Sequence, residues 1–238
     1  MMIVPPKALV YGDKLNPLVK ETTEESLVYE RFYHLLEQEG VKIIDLLPQL
    51  RKQAKTNPNL YCKTDTHFSG TGLQLFAKGA AEIIQKEAWY PGMAKKEMSS
   101  SERSVTIRGD LAQMLGDESL KEEVVIDVVA DTATAEPIAS DPSSPVILLG
   151  DSHTLVFSVG GDLHAQGAGL FDNLSRELGF AVDLLGVRGA AATSARVKLY
   201  QRSKKNGDYL KGKKAVIWCF AARELTGAGG WRNIPVSP

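Results

Sequence analysis

Residues 146–154 read Val146-Ile147-Leu148-Leu149-Gly150-Asp151-Ser152-His153-Thr154, and the fold turns on how they are read. Four apolar residues follow Pro145 without interruption, the pattern of a short strand buried on both faces. Gly150 ends the run, so Asp151, Ser152 and His153 fall where the carboxyl end of that strand opens. In an open α/β sheet this end is where ligands bind. A serine just past a buried strand and a glycine is placed much as in a nucleophile elbow, although the stretch is not G-x-S-x-G. The competing reading is that Asp151 or Ser152 only caps the segment that follows.

Strands and helices alternate outward from this point. Downstream, the glycine-rich stretch Gly160–Gly169 leads into a helix carrying Leu170, Leu174 and Leu178. Ala181–Leu185 reads as a strand, and GVRGAAAT (186–193) precedes a helix to about Tyr200. AVIWCF (215–220) is the last strand, with Trp218 expected in the core and Ala221–Glu224 at the strand's end. Upstream, Ile3–Tyr11 reads as a strand broken by Pro5 and Pro6, so pairing starts after them or the segment lies at a sheet edge. Glu24–Gln38 is a helix with Val28, Phe32, Leu35 and Leu36 on one face and Gly40 at its C-terminal cap. Val41–Leu47 reads as a short strand, and Pro48 opens a brief helix with Leu50 and Ala54.

The polar, turn-rich stretch Tyr61–Gly72 (YCKTDTHFSGTG) precedes a helix striped by Leu73, Phe76, Ala77, Ala80, Ile83 and Ile84, with Ser69 or Thr71 as N-cap. Ala88–Asp117 reads as loops with a short helical piece near 110–115. Val124–Ala130 is a β-branched run, followed by a Thr-, Ser- and Pro-rich stretch that is either a hairpin or an excursion before the central strand. The alternation predicts a mostly parallel sheet with helices on both faces. With no internal repeat or linker, residues 1–238 are read as one domain. The chain starts almost at once with a strand, so upstream sequence is expected to be missing.

The 238 residues suffice to bury a substantial core. Lys plus Arg number 28 against 29 Asp plus Glu, and no basic block points to nucleic acid. No apolar run reaches membrane-spanning length, and no secretory signal is visible. Two cysteines, Cys62 and Cys219, exclude a disulfide framework, and their spacing does not suggest zinc.

A serine nucleophile needs a base within hydrogen-bond reach and a group that orients the base. Of four histidines, His34 lies on an amphipathic helix away from any strand end. His153 adjoins Ser152, and neighbouring side chains at a sharp turn diverge, which makes it a neighbour of the site rather than its base. His164 sits in the glycine-rich loop after Ser152 and stays a candidate. His67 has the best surroundings, because Asp65 lies two residues earlier and both side chains of Asp-x-His can point the same way from an extended segment. Asp65 and His67 could instead form half of a metal site, or cap the loop without chemistry.

TDTHFSGTG followed much later by a buried strand ending in GDSH resembles the SGNH-like domain of the alginate O-acetyltransferase family, of the AlgJ/AlgX type. The resemblance runs from IVPPKALVYGDKL through TDTHFSGTG, RGDLAQML and VILLGDSH to VIWCFAARELT, most of the chain. In that family the Asp-x-His pair precedes the G-D-S serine. Phe68 stands where the family usually has Trp, and His153 follows the serine. The resemblance implies an SGNH-hydrolase-like three-layer α/β sandwich and a triad of Ser152, His67 and Asp65, with no cofactor and no metal. It implies an acetyl group carried by Ser152 to a polysaccharide hydroxyl, with a membrane partner as one source of acetyl, in the periplasm or cell envelope. An acetylesterase of the same fold and a non-catalytic polysaccharide-binding protein are the alternatives.

Around that triad, the Ser152 N–H is a natural oxyanion donor, and Gly189, in GVRG after a strand, is the second candidate. Neither Asn173 nor Asn233 has a convincing context as the SGNH asparagine. Arg223 and His153 are candidate substrate contacts. Arg223 is alternatively expected to pair with Asp151 or Asp110. Asp110, in RGDL, matches a family pattern with no role assigned.

Overall fold

The computed structural model describes residues 1–15, 23–189, 192–226 and 231–236. Four parallel strands form the central sheet in the order β1-β6-β4-β5: β1 is Met2–Val4, β4 Val146–Gly150, β5 Asp183–Gly186 and β6 Ala215–Ala221. Every residue of β4 is buried, and its neighbours are set by register, with Gly150 opposite Gly186 on one side and Cys219 on the other.

The period of two along each strand sorts side chains into layers. Val146 and Leu148 of β4, Ile217 and Cys219 of β6, and Met2 and Val4 of β1 share one core with α5 (Gly70–Gln85) and α7 (Leu170–Leu178). Ile147 and Leu149 face the opposite side, against Ala195 and Leu199 of α8 (Ala192–Lys205). Ile3 and Phe220 on that side meet Tyr29, Phe32 and Tyr33 of α3 (Thr23–Gln38). Burying each such side chain stabilises the fold by about 1.5–3 kcal/mol. The chain runs from β4 through α7 outward to β5, then back through α8 to β6 on the far side of β4. Right-handed crossovers in opposite directions put α7 and α8 on opposite faces. The outcome is an α/β fold of three layers.

Three local expectations are corrected. In Ile3–Tyr11 the edge position holds, but pairing precedes the prolines, and Lys7–Val10 turns into a short helix, α1, followed by α2 (Gly12–Leu15). Pro6 is fixed at φ −67 and leads into the first helical turn. Val41–Leu47 supplies a single bridge, Ile44 to Met2, before α4 (Leu47–Ala54). Within 88–117, Met98–Ile107 is a ten-residue strand, β2, paired antiparallel with β3 (Glu122–Asp131), with α6 (Asp110–Met114) between them. β2 is exposed on both faces over most of its length, so it carries no alternating apolar signal.

On α3 the buried face runs through Tyr29, Phe32 and Tyr33, which leaves Leu35 53% exposed. The Val28 side chain, and Ala190 and Ala191 of the GVRGAAAT stretch, lie outside the described residues. His34 is exposed and bonded to Gln38. Trp218 is half-buried on the outer face, against Phe220 and Trp231, rather than in the core. Cys62 and Cys219 are free and buried.

The loop from β4 to α7 is anchored by Asp172, whose Oδ2 accepts from the Ser158 hydroxyl (2.6 Å) and the Gly169 N–H (2.9 Å). Burial pushes its carboxyl up to about 7, against the pull of those hydrogen bonds. The unfolded chain ionises near pH 4, so the native state holds more protons between about pH 4 and 7. Stability therefore declines as pH rises through that window and is level above it. Asp172→Asn keeps an acceptor for both donors and removes the slope. Urea midpoints of both proteins at about pH 5 and pH 8 check this. The difference should move in the variant's favour at the higher pH, and an unchanged difference would count against a neutral Asp172.

Candidate active site

Gly150 ends β4 because the chain passes too close to β6 for a side chain: a Cβ there would lie 2.0 Å from the Cys219 carbonyl oxygen. Asp151 then caps the single 3-10 turn Ser152–Thr154, accepting from the His153 N–H at 2.9 Å. Its other oxygen accepts the Ala221 N–H from the end of β6 at 2.8 Å. Burial opposes ionisation, yet the His153 imidazole and these backbone donors bring the Asp151 carboxyl down to about 2. Asp151 thus fastens the serine turn to the neighbouring strand, as the capping alternative supposed. Ser152 itself points elsewhere.

The Ser152 hydroxyl lies 2.7 Å from His67 Nε2, and His67 Nδ1 lies 2.5 Å from Asp65 Oδ1. All three residues are buried. With Nδ1–H donating to the carboxylate, Nε2 is the acceptor that faces the serine. Asp65 Oδ1 also accepts the His67 N–H at 2.8 Å, while Oδ2 takes the Asp110 N–H (3.1 Å) and His164 Nε2–H (2.9 Å). Burial alone would raise the Asp65 carboxyl, but hydrogen bonds from His164 and His67 outweigh it and hold it far below the usual carboxylate range. It is an anion with every lone-pair direction in use.

The loop that carries Asp65 and His67 is strapped down from outside. Glu122, opening β3, accepts from the N–H groups of Lys63 (2.7 Å) and Thr64 (2.6 Å) and from the Thr64 hydroxyl (2.7 Å). Asp110 accepts the Thr66 N–H (2.7 Å) and hydroxyl (2.5 Å). Lys7 donates to the carbonyls of Cys62 and Asp65. Asp110 therefore has a role, to set the loop, and two of the three straps, Glu122 and Asp110, come from the β2–β3 hairpin and its connection, the region hardest to read in sequence.

Gly109 packs directly on this loop, where a Cβ would sit 2.3 Å from Asp65 Cβ and 2.3 Å from the Thr64 oxygen. Gly109→Ala must push that backbone away. We expect a loss of about 1–3 kcal/mol in stability, read as a lowered melting temperature; a variant that melts like wild type would contradict the close packing.

The remaining sequence candidates separate. His153 turns back to Asp151, with Nδ1 3.1 Å from Oδ1. Its ring lies 4.7 Å from that of His67 and edge-on to Phe68 at 5.0 Å. Burial, against the pull of Asp151, lowers its pKa, and His67 and Arg223 add to the lowering. Arg223 is exposed and, among the described residues, forms no ion pair; Asp151 and Asp110, its expected partners, are occupied by His153, Ala221 and Thr66. It instead borders a cleft of about 360 Å³ lined also by Pro5, Lys7, Thr66, Leu111 and His153. Gly189 adopts φ +78 on an exposed bend with open space around it, set apart from Ser152. Asn173 spends its amide N–H on the carbonyls of Ala168 and Gly169. Asp65, His67 and Asp110 each place one donor atom within 4.8 Å of the others, a spacing that fits a cation. Those atoms are already engaged with one another, with Ser152 and with Thr66.

A parallel sheet with a serine at the carboxyl end of its central strand, facing a histidine and an aspartate from one loop, is the architecture of an SGNH-hydrolase-like α/β domain. The chain belongs to the family of the SGNH hydrolase-like domain of the acetyltransferase AlgX, whose profile matches residues 1–222. It is 25% identical over 163 residues to the probable alginate O-acetylase AlgJ of Pseudomonas fluorescens, covering 65% of this chain and 41% of that protein. With the corresponding protein of Azotobacter vinelandii it shares 27% over 165 residues, 65% of this chain and 42% of that one. The chain thus spans about two fifths of the length of these relatives. In structure it is similar to the O-acetyltransferase domain of Pseudomonas putida AlgJ (TM-score 0.70, 19% identity, 94% of this chain and 74% of the other). Pseudomonas aeruginosa AlgX is also similar (TM-score 0.65, 20% identity, 92% and 50%). Among the described residues, no helix is long and apolar enough to cross a membrane.

Proposed function

We propose that this protein is a serine-dependent O-acetyltransferase acting on a polysaccharide hydroxyl, with Ser152 as nucleophile, His67 as base and Asp65 orienting His67. The observation that carries the reading is the hydrogen-bonded chain from Ser152 Oγ through His67 to Asp65, the arrangement acyl transfer through serine requires. Ser152 Oγ attacks the acetyl carbonyl carbon as its proton passes to His67 Nε2. The tetrahedral oxyanion is met by the Ser152 N–H. The donor's C–O bond then breaks, its oxygen takes the proton from His67, and acetyl-Ser152 remains. A sugar hydroxyl next gives its proton to His67, attacks the acetyl carbon and releases Ser152, which recovers the proton.

The cleft beside His153 and Thr66 is the proposed acceptor channel, with Arg223 at its rim to meet a hydroxylated or anionic sugar. By the names of its relatives the acceptor is an alginate-like glycan, and we place the reaction in the periplasm or cell envelope with acetyl supplied by a partner protein. Water in place of the sugar would make the same acetyl-enzyme an esterase.

The test is mass spectrometry after brief exposure to p-nitrophenyl acetate. A single acetyl adduct on Ser152, absent in Ser152→Ala and much reduced in His67→Ala, is the expected result. No adduct, with ester turnover equal to both variants, would leave a glycan-binding protein without turnover.

A further inference from the structure

His164 lies 99 residues from Asp65 in sequence, yet its Nε2 is 2.9 Å from Asp65 Oδ2, and both side chains are nearly buried, at 9% and 4% exposure. The backbone is contorted to achieve this. His164 has φ +77 and ψ −80 and is the centre of a γ-turn closed by the Ala165 N–H on the Leu163 carbonyl at 3.2 Å, a strained form that side-chain-bearing residues rarely adopt. Phe157, whose ring lies 5.3 Å from the imidazole, also has positive φ, at +58. Phe157 pins the turn through its N–H on the Leu163 carbonyl (2.9 Å) and its own carbonyl on the Ala168 N–H (2.8 Å). Such strain persists only where the surroundings over-determine it, and it gathers at functional sites.

The loop leaving Ser152 therefore folds back to grip the acid that orients the serine's base. Asp65 divides its oxygens: Oδ1 serves His67 alone, and Oδ2 serves His164 and the Asp110 N–H. We infer that His164 is a positioning residue, which by donating Nε2–H to Oδ2 fixes the rotation of the Asp65 carboxylate and so aims Oδ1 at His67 Nδ1. This rests on the proposed reading of Ser152 as nucleophile. Without His164, Oδ2 retains one backbone donor at 3.1 Å, and the carboxylate gains freedom to swing away from His67. A misplacement of that kind lowers turnover without touching substrate binding.

Two variants separate positioning from packing. Glutamine places an N–H near the Nε2 position, whereas leucine keeps bulk and removes the donor. Three readings are taken: kcat and KM for acetyl-ester cleavage, the far-downfield proton resonance of the Asp65–His67 hydrogen bond, and thermal melting. We expect His164→Leu to lower kcat about 10- to 100-fold with KM within about twofold, and to displace the downfield resonance. His164→Gln should restore kcat to within about threefold and keep the resonance in place. Wild-type kcat in the leucine variant, or equal impairment in two equally stable variants, would overturn the inference. Should leucine not fold, His164→Asn, too short to reach Oδ2, takes its place against glutamine. If wild type forms no Ser152 adduct, the nucleophile reading fails by itself. The resonance then decides alone: displacement without the donor and retention with glutamine sustain the positioning role, and no change removes it.

Discussion

Ser152→Ala is expected to lower kcat/KM for acetyl-ester cleavage by about 10³-fold or more, with no acetyl adduct and a nearly unchanged melting temperature. The size follows from the unit nature of the proposed triad: removing its nucleophile would leave only binding and oxyanion stabilisation. The fold survives because the change deletes one hydrogen bond, to His67 Nε2, worth about 1 kcal/mol net. The serine turn is held by Asp151 through His153 and Ala221 rather than by Ser152. Ester kinetics and a thermal melt on the same preparation check both halves. A variant that turns over acetyl ester like wild type would put the nucleophile elsewhere.

Asp65→Asn should lower turnover by about 10⁴-fold and, unlike Ser152→Ala, lower stability as well. Four donors converge on this carboxylate, two on each oxygen. An amide presents one oxygen and one NH₂, so whichever way it turns, one pair of donors faces another donor. If NH₂ faces His67, Nδ1 becomes the acceptor, Nε2 carries the proton, and nothing is left to take a proton from Ser152. If it faces Oδ2's partners, His164 and the Asp110 N–H lose their acceptor. Each buried charge-assisted bond lost costs about 1.5–3 kcal/mol.

The pH dependence has a fixed sign. The folded Asp65 carboxyl is held below its unfolded value, so its contribution to stability is fully present above about pH 4 and fades as the pH falls toward the depressed folded value. Wild type should therefore converge on Asp65→Asn in strong acid and diverge from it up to about pH 4, above which the Asp65 contribution leaves the gap level. Denaturant midpoints across that range measure the gap, and a constant gap would contradict the ionised, fully bonded carboxylate.

Much of the fold was legible because its elements announce themselves locally. β4 is a run of apolar residues ended by a glycine that no other residue could replace beside Cys219. α5 carries its stripe behind a Ser69 cap, whose hydroxyl accepts the Gly72 N–H. Asp65 and His67 could be paired in sequence because the geometry of Asp-x-His is local, and the same carboxylate accepts both the backbone and the ring of His67.

What sequence could not supply was any contact made across the chain by polar atoms. β2 is a polar ribbon wetted on both faces, so its strand character rests on pairing with β3 rather than on a hydrophobic period. Glu122, Asp110 and Lys7 are ordinary charged residues by composition, and only the tertiary fold brings them onto the Asp65 loop. Arg223 was expected to pair with an acid, but both acids had nearer donors. The sequence by itself determined the layers and the local pairing of Asp65 with His67, since burial and local hydrogen bonding follow from pattern. Tertiary structure alone decided that Ser152 meets His67 and that Asp65 is shared with His164. Hydrogen bonds act over about 3 Å, and only the folded chain brings residues 85 and 99 positions apart within that reach.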